Sequence, residues 1–356
     1  MDVEQKVHMI GGHGEESYAN NSLVQGNVIS STKLIREEVI TSLYSNTFPS
    51  SLAIADMGCS SGPNTLLVVS ETIKIVEKIC KDLNHLSPEY KVYLNDLAGN
   101  DFNSVFKSLD NFKEKLYDEI KTEIGNCYFF GVPGSFYDRV FPDRSLHFVH
   151  SSFSLHWLSK VPEGLNNNKG AIYIQKTSPS NVIKAYYEQF QKDFSFFIKC
   201  RAEEIVEGGC MVLTFLGRRD DDPSSKECCY IPELFATALN DMVLEGIIEE
   251  DKVNNFNIPN YYPCPAEVKL VVLNEGSFNM NHFEVSEVDL NVSINQSGYK
   301  FAQAMRAVFE PLLVSHFGET IIEDAFNRYQ AILADRMTKE IIKSTYFTIS
   351  LTRKSV

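Results

Sequence analysis

A short apolar run that ends in an acidic residue and a small-residue turn is the feature that most constrains the fold of this chain. It lies within residues 52–64, where Asp56 closes the apolar stretch and a turn of glycine, serine and proline leads into a helix-forming segment. A second apolar run, Lys91–Asn95, ends in Asp96. Because the carboxyl ends of neighbouring parallel strands meet at the ligand-binding crevice of an open α/β sheet, we expect both carboxylates to lie there.

The two carboxylates indicate a nucleoside ligand. A carboxylate at a strand end can accept paired hydrogen bonds from two ribose hydroxyls. The turn at Gly58 and Gly62 permits a close approach of the backbone, yet it lacks the G-x-G-x-x-G spacing of dinucleotide sites. We therefore predict a site for S-adenosylmethionine, an adenosine that carries a cationic sulfur. The alternative, that Asp56 and Asp96 only cap the helices that follow them, stays open at this point.

The order of apolar and helix-forming segments predicts an α/β fold with a doubly wound, Rossmann-like parallel sheet and a helical cap. Short apolar runs at Cys127–Phe130 and Leu146–Val149 are typical of strands buried on both faces. A long aromatic-rich helix over 178–206 and a strand over 211–216 follow. We expect a single methyltransferase unit over 1–356. Its sheet core is expected mainly at 30–160, 205–218, 276–284 and 345–353, and its helical cap mainly at 161–204, 219–275 and 285–340.

Composition narrows the class of partner. The 356 residues carry a formal net charge of −14, which disfavours nucleic acid because phosphate contacts need a basic face. The sequence has no uncharged apolar run of membrane-spanning length and no apolar signal region, so we expect a cytoplasmic protein. The eight cysteines are scattered and form no C-x-x-C pair, which fits free thiols in a reducing compartment.

Two further segments follow predicted buried strands and are expected at the same edge of the sheet. They are Gly134–Tyr137 and Ser151–Trp157. Phe136 offers a ring that can stack on adenine, whereas His156 and Trp157 bring ring N–H donors to an otherwise apolar wall. Such a wall suits a polar or anionic aromatic guest, although packing in the core would explain the same two residues.

Four motifs then make the chain similar to a known family. They cover residues 9–22, 56–64, 95–103 and 131–137, and lesser matches at 168–170 and 256–259 extend the likeness over nearly the whole length. With these motifs the chain resembles the plant salicylate/benzoate/theobromine-type (SABATH) methyltransferases, with a leaning towards their salicylate and benzoate carboxyl-methylating branch. The resemblance implies S-adenosylmethionine as cofactor, a small aromatic acid or heterocycle as methyl acceptor, and a homodimer.

The resemblance also implies roles for individual residues. It implies cofactor contacts from Tyr18, Ser22, Cys59, Asn64, Asp96, Leu97, Ser135, Phe136, Ser152 and Phe153. Asp56 is a further cofactor candidate because of its place at a strand end. The resemblance implies that Gln25 and Trp157 hold the acceptor carboxylate as the catalytic pair, and that His156, Leu216, Ile231, Met305 and Val308 line an apolar acceptor pocket. Finally, it implies a metal, magnesium, near Asn168, Phe256 and Asn257.

This chain departs from the family pattern at several positions. Asn254 replaces the usual Asp beside the implied metal, which removes a charge that a hard cation would need. Ile10, Phe153, His156 and Pro232 stand where salicylate-type members usually have Lys, Tyr, Met and Trp. The loss of a bulky Trp at 232 predicts a larger acceptor pocket.

Three functions follow from these observations. The first is O-methylation of a small aromatic acid, because a carboxylate is already an anionic nucleophile at neutral pH and needs only orientation. The second is N-methylation of a xanthine or a pyridine carboxylate. Apolar side chains at Ile231, Pro232 and Met305 favour the acid over the purine. The third is a protein that binds cofactor or hormone without turnover, against which the intact turn and Asp96 argue.

Overall fold

A mixed seven-stranded β-sheet forms the centre of the computed structural model, which describes residues 8–121, 124–293 and 297–355. The strands lie in the order β3-β2-β1-β4-β5-β7-β6. Their bounds are β1 (Ser51–Met57), β2 (Glu89–Asp96), β3 (Cys127–Pro133), β4 (Leu146–Ser152), β5 (Ile205–Leu216), β6 (Phe278–Asp289) and β7 (Lys343–Arg353). The strand order reverses direction at β1, whose two neighbours are β2 and β4, so the binding crevice is expected beside the end of β1.

Strands β1 to β5 are parallel, in agreement with the sequence-based prediction. Strand β1 pairs with β2 from Ser51 opposite Glu89 to Met57 opposite Asn95, and it also pairs with β4. Alternate residues of β1 face two different cores, Ala53, Ala55 and Met57 on one side and Leu52 and Ile54 on the other. Burial on both faces explains the continuous apolar run from which the strand was predicted.

The last two strands in the sheet order are antiparallel. Strand β7 pairs with β5 from Cys210 opposite Thr352 to Leu216 opposite Tyr346, and with β6 on its other side. The sequence predicted a strand at 346–351 and sheet residues at 276–284, but neither the antiparallel direction nor the extension of β6 to Asp289. As an edge strand β6 is mostly half-buried or exposed and carries acidic residues in its second half, so its apolar signal is weak.

Helices cover both faces of the sheet and build the cap. Their bounds are α1 (Tyr18–Asn21), α2 (Leu23–Ser31), α3 (Lys33–Thr47), α4 (Asn64–Leu83), α5 (Phe102–Lys107), α6 (Leu109–Ile120), α7 (Ser180–Glu204), α8 (Lys226–Leu244), α9 (Glu250–Asn254), α10 (Pro265–Glu275), α11 (Leu290–Ser293), α12 (Gly298–Phe317) and α13 (Ile322–Lys339). A 3₁₀ turn at Glu319–Ile321 joins α12 to α13. Among the helices of the described residues, none has both the length and the apolar character needed to cross a membrane.

Two cores lie on the sheet and a third lies in the cap. Helix α7 packs on one face through buried residues at helical spacing, among them Val182, Tyr186, Phe190 and Phe194. Helices α3 and α4 pack on the other face. The third core joins α8, α12 and α13 and also contains Trp157. The cap core therefore reaches the residues that follow β4.

The division of the chain into a sheet core and a cap stays a prediction. Helix α7 lies in the range expected for the cap, yet it packs against the sheet. Residues 285–289 were also expected in the cap and form the end of β6. Residues 294–296, in the same expected range, lie outside the described part of the chain.

Candidate active site

Two adjoining cavities open where the carboxyl ends of the parallel strands meet the cap. The small cavity, of about 80 Å³, is lined by residues at or just after the ends of β1 to β4, including Gly58, Asp96, Ser135 and Ser152. The large cavity, of about 500 Å³, lies between these residues and helices α8 and α12. Both cavities are lined by Met9, Tyr18, Phe153 and Trp157. A guest in one cavity is therefore within reach of a guest in the other.

Asp96 ends β2 and lines the small cavity. Its Oδ2 accepts a hydrogen bond from the Ser60 backbone N–H at 2.7 Å, and its Oδ1 accepts one from the Leu97 N–H at 2.8 Å. Burial raises the pKa of Asp96 to about 6, since these two donors only partly replace the lost hydration. The carboxylate is thus held in one orientation, with remaining lone pairs for hydroxyl donors.

The loop after β3 supplies a second wall of the small cavity. Ser135 and Phe136 both line it. The Asn95 side-chain amide donates to the carbonyls of Val132 at 2.9 Å and Gly134 at 3.0 Å, which fixes the start of this loop to the end of β2. This role of Asn95 was not predicted from the sequence, although the residue directly precedes Asp96.

Four of the predicted cofactor residues do not line either cavity: Ser22, Asp56, Cys59 and Asn64. Asp56 lies opposite His150 in the β1–β4 register, and its Oδ1 is 2.7 Å from the His150 Nδ1. The Asn64 amide donates to the Ser22 carbonyl at 3.2 Å, and the Cys59 N–H donates to a carbonyl at the end of β2. Their contact with a cofactor stays a prediction, and the pairing with His150 depends on a register that the sequence did not reveal.

The N-terminal arm, defined as residues 8–17, connects the cap to the sheet edge. The Ile10 N–H donates to a carbonyl of α12 at 2.9 Å, and the Gly12 N–H donates to Asp101 Oδ2 at 2.8 Å. Tyr18, which follows the arm, lines both cavities, and burial raises the pKa of its hydroxyl. The hydroxyl therefore stays a protonated donor at the boundary between the cavities.

All the residues predicted for the acceptor line the large cavity: Gln25, His156, Trp157, Leu216, Ile231, Met305 and Val308. The cavity is also lined by Asn260 and Tyr262, which were not predicted from the sequence and for which the proline-containing segment 258–263 was the available signal. Pro232 does not line it. This residue instead lines a cavity of about 30 Å³ inside the cap, which adjoins the large cavity and shares Ile231 and Met305 with it.

Neutral polar atoms face the large cavity. Burial lowers the pKa of His156 to about 3, so its imidazole is uncharged at neutral pH. Within the described part of the chain, Gln25 Oε1 and His156 Nδ1 have no hydrogen-bond partner. An unpaired buried polar atom costs free energy, so a rotation of either side chain that gave the atom a partner on a guest would be favourable.

The backbone around Trp157 is held from two sides. Trp157 and Asn260 form an antiparallel β-bridge, and the Tyr261 N–H donates to the His156 carbonyl at 2.8 Å. From the other side the Tyr137 hydroxyl donates to the Trp157 carbonyl at 2.6 Å. The indole is therefore presented on a backbone that two other segments restrain.

The exposed end of the large cavity is lined by paired charges. Lys343 lies 3.0 Å from Glu287, which also pairs with Arg219, and Lys226 pairs with Glu340. The three basic side chains are each at least half exposed. Because exposed ion pairs contribute little to stability, they can open and close at small cost when a guest enters.

The residues predicted for a metal are paired with one another. The Asn168 amide donates to Asn257 Oδ1 at 3.3 Å, while Asn168 Oδ1 accepts from the Ser178 hydroxyl at 2.7 Å. Asn254 Oδ1 accepts a backbone N–H, and Phe256 is fully buried in the cap core. A set without a carboxylate, whose oxygens already accept hydrogen bonds, does not fit magnesium. Among the described residues, no group of three or more His, Cys, Asp or Glu side chains is arranged to hold a metal ion.

The chemistry that this site can perform depends on position. None of the four residues that line both cavities carries an ionised group at neutral pH, and His156 is neutral. The site therefore offers no charged acid or base at the boundary between the two guests. It suits the transfer of a group between two molecules held side by side, with water excluded.

Comparison with known proteins gives the same class of reaction. A family model described as SAM dependent carboxyl methyltransferase matches residues 4–354. The benzoic acid/salicylic acid carboxyl methyltransferases 1, 2 and 3 of Petunia hybrida are each 55% identical over 99% of this chain and 99% of their own length. Salicylate carboxymethyltransferase of Clarkia breweri is 53% identical over 100% of both chains. The solved structure of a loganic acid methyltransferase with SAH, 34% identical, matches with a TM-score of 0.86 over 98% of this chain and 99% of that chain.

Proposed function

Because this chain belongs to the SAM-dependent carboxyl methyltransferase family, we propose that it converts the carboxylate of a small aromatic acid, of the benzoate and salicylate type, into a methyl ester. The observation that carries the proposal is the pair of adjoining cavities. One holds the Asp96 carboxylate, and the other is lined by apolar side chains with Gln25, His156 and Trp157 among its polar groups.

The small cavity has the chemistry required for S-adenosylmethionine, which supplies an electrophilic methyl group on a cationic sulfur. Asp96 would accept hydrogen bonds from the two ribose hydroxyls, with its oxygens oriented by the Ser60 and Leu97 N–H groups. The Phe136 ring would stack on the adenine. Tyr18 and the other residues that line both cavities are uncharged, so they do not repel a cationic sulfur placed between the cavities.

The large cavity would orient the acid. The Trp157 indole N–H donates a hydrogen bond and the Gln25 side-chain amide donates another, so that together they fix both carboxylate oxygens. A carboxylate with a reference pKa near 4 is ionised at neutral pH, and the neutral His156 is not required as a base. Orientation and exclusion of water then lower the barrier, and such positioning can contribute about 7–11 kcal/mol.

The competing acceptor is a ring nitrogen of a xanthine or pyridine carboxylate. Ile231 and Met305 are apolar where a purine would need polar partners. However, His156 Nδ1 and Asn260 Oδ1 have no hydrogen-bond partner within the described residues and belong to side chains that line the large cavity, and this observation favours a heterocycle. The carboxylate remains the better fit because the Gln25 and Trp157 donors match two oxygens.

A substrate panel tests the proposal. Purified protein is incubated with methyl-labelled cofactor and, separately, benzoate, salicylate, anthranilate, nicotinate, theobromine or xanthine, and the products are identified by mass spectrometry. Esters of benzoate or salicylate as the main products would support it, whereas N-methyl products as the main ones would contradict it. Cofactor binding without any methylated product would favour a protein that binds without turnover.

We further propose that the chain forms a homodimer. This proposal rests on the family to which the chain belongs and not on any feature of the active site. It can therefore be tested without an activity measurement. Sedimentation equilibrium at micromolar concentration should give twice the chain mass of 40.3 kDa, and a monomer mass would contradict the proposal.

A further inference from the structure

Two fully buried arginines lie directly behind the two walls of the active site. Arg201 is 0% exposed and Arg218 is 1% exposed. A buried guanidinium has a large desolvation cost, which is offset where its charge is paired and its N–H donors find acceptors. The groups that satisfy each arginine therefore indicate which part of the fold the arginine holds.

Arg201, near the end of α7, bonds to the loop that lines the small cavity. One terminal nitrogen donates to the Phe136 carbonyl at 2.7 Å, and the other donates to the Asp138 carbonyl at 2.8 Å. The guanidinium also lies over the Phe197 ring, which contacts the Phe136 ring edge-on. Arg201 thus holds both the backbone and the ring of the residue proposed to stack on adenine.

Glu204, one turn further along α7, completes this contact. Its Oε2 lies 2.7 Å from the Arg201 Nε, which pairs the two opposite charges without hydrogen-bond geometry between these two atoms, and both side chains are fully buried. Its Oε1 accepts from the N–H groups of Val140 at 2.8 Å and Phe141 at 3.0 Å. The Arg201–Glu204 pair therefore holds the loop by its carbonyls at one end and by its N–H groups at the other.

Arg218, two residues after β5, holds a different segment. Its side chain donates to the carbonyl of Tyr262, and its own backbone N–H donates to the carbonyl of Pro263 at 2.9 Å. The guanidinium also lies over the Tyr261 ring. This segment lines the large cavity through Asn260 and Tyr262.

Glu267 in α10 completes the second pair. Its Oε1 lies 2.8 Å from an Arg218 terminal nitrogen and also accepts from the Tyr261 hydroxyl at 3.0 Å, while its Oε2 accepts from the Cys264 N–H at 2.8 Å. The Tyr261 backbone in turn bonds to the His156 carbonyl. The Arg218–Glu267 pair therefore holds the segment against which the residues of the acceptor wall are fixed.

We propose that these are two positioning pairs with separate roles: Arg201–Glu204 sets the cofactor wall, and Arg218–Glu267 sets the acceptor wall. The assignment of the walls to cofactor and acid rests on the proposed function. Neither arginine lines a cavity, so both act through the backbone of the residues that do. The loops they hold have few ladder hydrogen bonds of their own, and charge-assisted bonds to their peptide groups replace that support.

Conservative substitutions separate the two roles. Arg201→Lys and Arg218→Lys keep the positive charge but lose the planar fork that reaches two acceptors at once. We expect Arg201→Lys to raise the dissociation constant of SAH, measured by titration calorimetry, by about tenfold, as for a lost charge-assisted hydrogen bond. We expect Arg218→Lys to leave that constant unchanged and to raise the KM of the acid about tenfold at saturating cofactor.

Each variant is the control for the other. Both remove the same group from an equally buried site, so a general loss of stability would change both constants in both variants, with a parallel fall in Tm. That result would overturn the proposal, as would a change of SAH affinity in Arg218→Lys equal to that in Arg201→Lys. If either variant fails to fold, Glu204→Gln and Glu267→Gln replace them, with the same split expected.

Failure of the proposed function gives a different result. If the wild-type protein methylates no acid, the acid KM cannot be measured, but SAH affinity can. A selective loss of SAH affinity in the Arg201 variant would then support separate positioning of the cofactor wall. An equal loss in both variants would overturn it.

Discussion

The indole of Trp157 combines packing with one hydrogen-bond donor, and the two can be separated. Its ring contacts Phe309 at 5.5 Å between centroids, and its exposed fraction is 8%. We expect Trp157→Phe, which keeps an aromatic ring but removes the N–H, to lower kcat/KM for the acid by about ten- to a hundredfold, the range for a lost hydrogen bond to a charged group. Steady-state kinetics with the preferred acid measure this.

The control for Trp157→Phe is cofactor affinity. If the indole N–H serves the acid, calorimetric titration with SAH should give the wild-type dissociation constant. An equal loss of SAH affinity and acid turnover would mean that the ring acts as part of the core.

The carboxyl group of Asp96 predicts a pH dependence of cofactor binding. Burial raises its pKa to about 6, so the group is ionised at pH 7 and becomes protonated as the pH falls through that value. Because the charged form accepts the ribose hydroxyls better and attracts a cationic sulfur, S-adenosylmethionine affinity should fall below pH 6, by at most about tenfold per unit. Titration calorimetry between about pH 5 and 8 measures it.

The raised pKa of Asp96 has the opposite effect on the folding stability of the protein without cofactor. A carboxyl whose folded pKa exceeds its unfolded value binds its proton more tightly when folded, so this group adds stability as the pH falls towards 4. Weaker cofactor binding below pH 6 would thus not reflect unfolding at this residue. An Asp96→Asn variant should show no pH dependence in this range, and a wild-type affinity that is constant from pH 5 to 8 would contradict the prediction.

His156 predicts a separate loss of stability in acid. Its pKa is lowered to about 3 in the folded protein from an ordinary value of 6.5, so below pH 6.5 the unfolded chain takes up a proton that the folded chain does not. At pH 5 this costs about 2 kcal/mol relative to pH 7.5. Urea unfolding at the two pH values measures the free energy of unfolding that is lost in acid. His156→Met should reduce this loss, whereas the same substitution at the exposed His13 should not. An equal acid loss in wild type and His156→Met would contradict it.

At the scale of single residues, the sequence predicted which residues lie at strand ends better than it predicted the groups to which their side chains bond. Asp96 lies at a strand end and in the cavity wall, as its position after an apolar run implied. Asp56 follows the same rule, yet its carboxylate is bonded to His150. The difference arises from the register of β1 on β4, and register depends on the packing of whole strands.

The turn between β1 and α4 leaves no room for an added atom at Gly58. Gly58 has φ of +78°, and a Cβ at this position would lie 2.1 Å from the Ser154 Oγ, on the segment after β4. We expect Gly58→Ala to separate the two segments and to lower cofactor affinity by at least about tenfold. SAH titration measures the loss.

Gly164→Ala is a matched control for this substitution. Gly164 has a similar φ of +82°, but a Cβ there would meet no atom within 4 Å. The Gly164→Ala variant therefore has the same backbone strain without the steric clash. Its affinity for SAH should equal that of the wild type. If both variants lost affinity equally, strain in the chain rather than contact at the site would be responsible.

Some strands were predicted from the sequence more accurately than others, and the difference has a physical reason. Strands β1 and β4 are buried on both faces and were recognised from continuous apolar runs. Strand β6 is buried at only two of its twelve positions and mixes apolar residues with asparagine, serine and three acidic residues, so its pattern does not distinguish it from a polar loop. Its antiparallel pairing with β7 joins distant parts of the chain, which local periodicity cannot reveal.

At the scale of the whole molecule, the two cavities are mechanically connected. The Tyr137 hydroxyl donates to the Trp157 carbonyl at 2.6 Å, and Tyr137 belongs to the loop that lines the small cavity. Burial raises the pKa of this hydroxyl well above its ordinary value, so it remains a donor at any working pH. Ordering of the loop by the cofactor should therefore also order the backbone that presents the indole.

This connection predicts cooperative binding of cofactor and acid. In the wild type, saturating SAH should increase the affinity for the acid, because the ordering of the Trp157 backbone has already occurred. In Tyr137→Phe the ring stays but the hydrogen bond is lost, so the increase should shrink, by up to about tenfold for one buried hydrogen bond. Calorimetric titration of the acid, with and without SAH, measures the coupling in both proteins. Coupling that is absent from the wild type, or unchanged in Tyr137→Phe, would mean that the two sites act independently despite their shared wall.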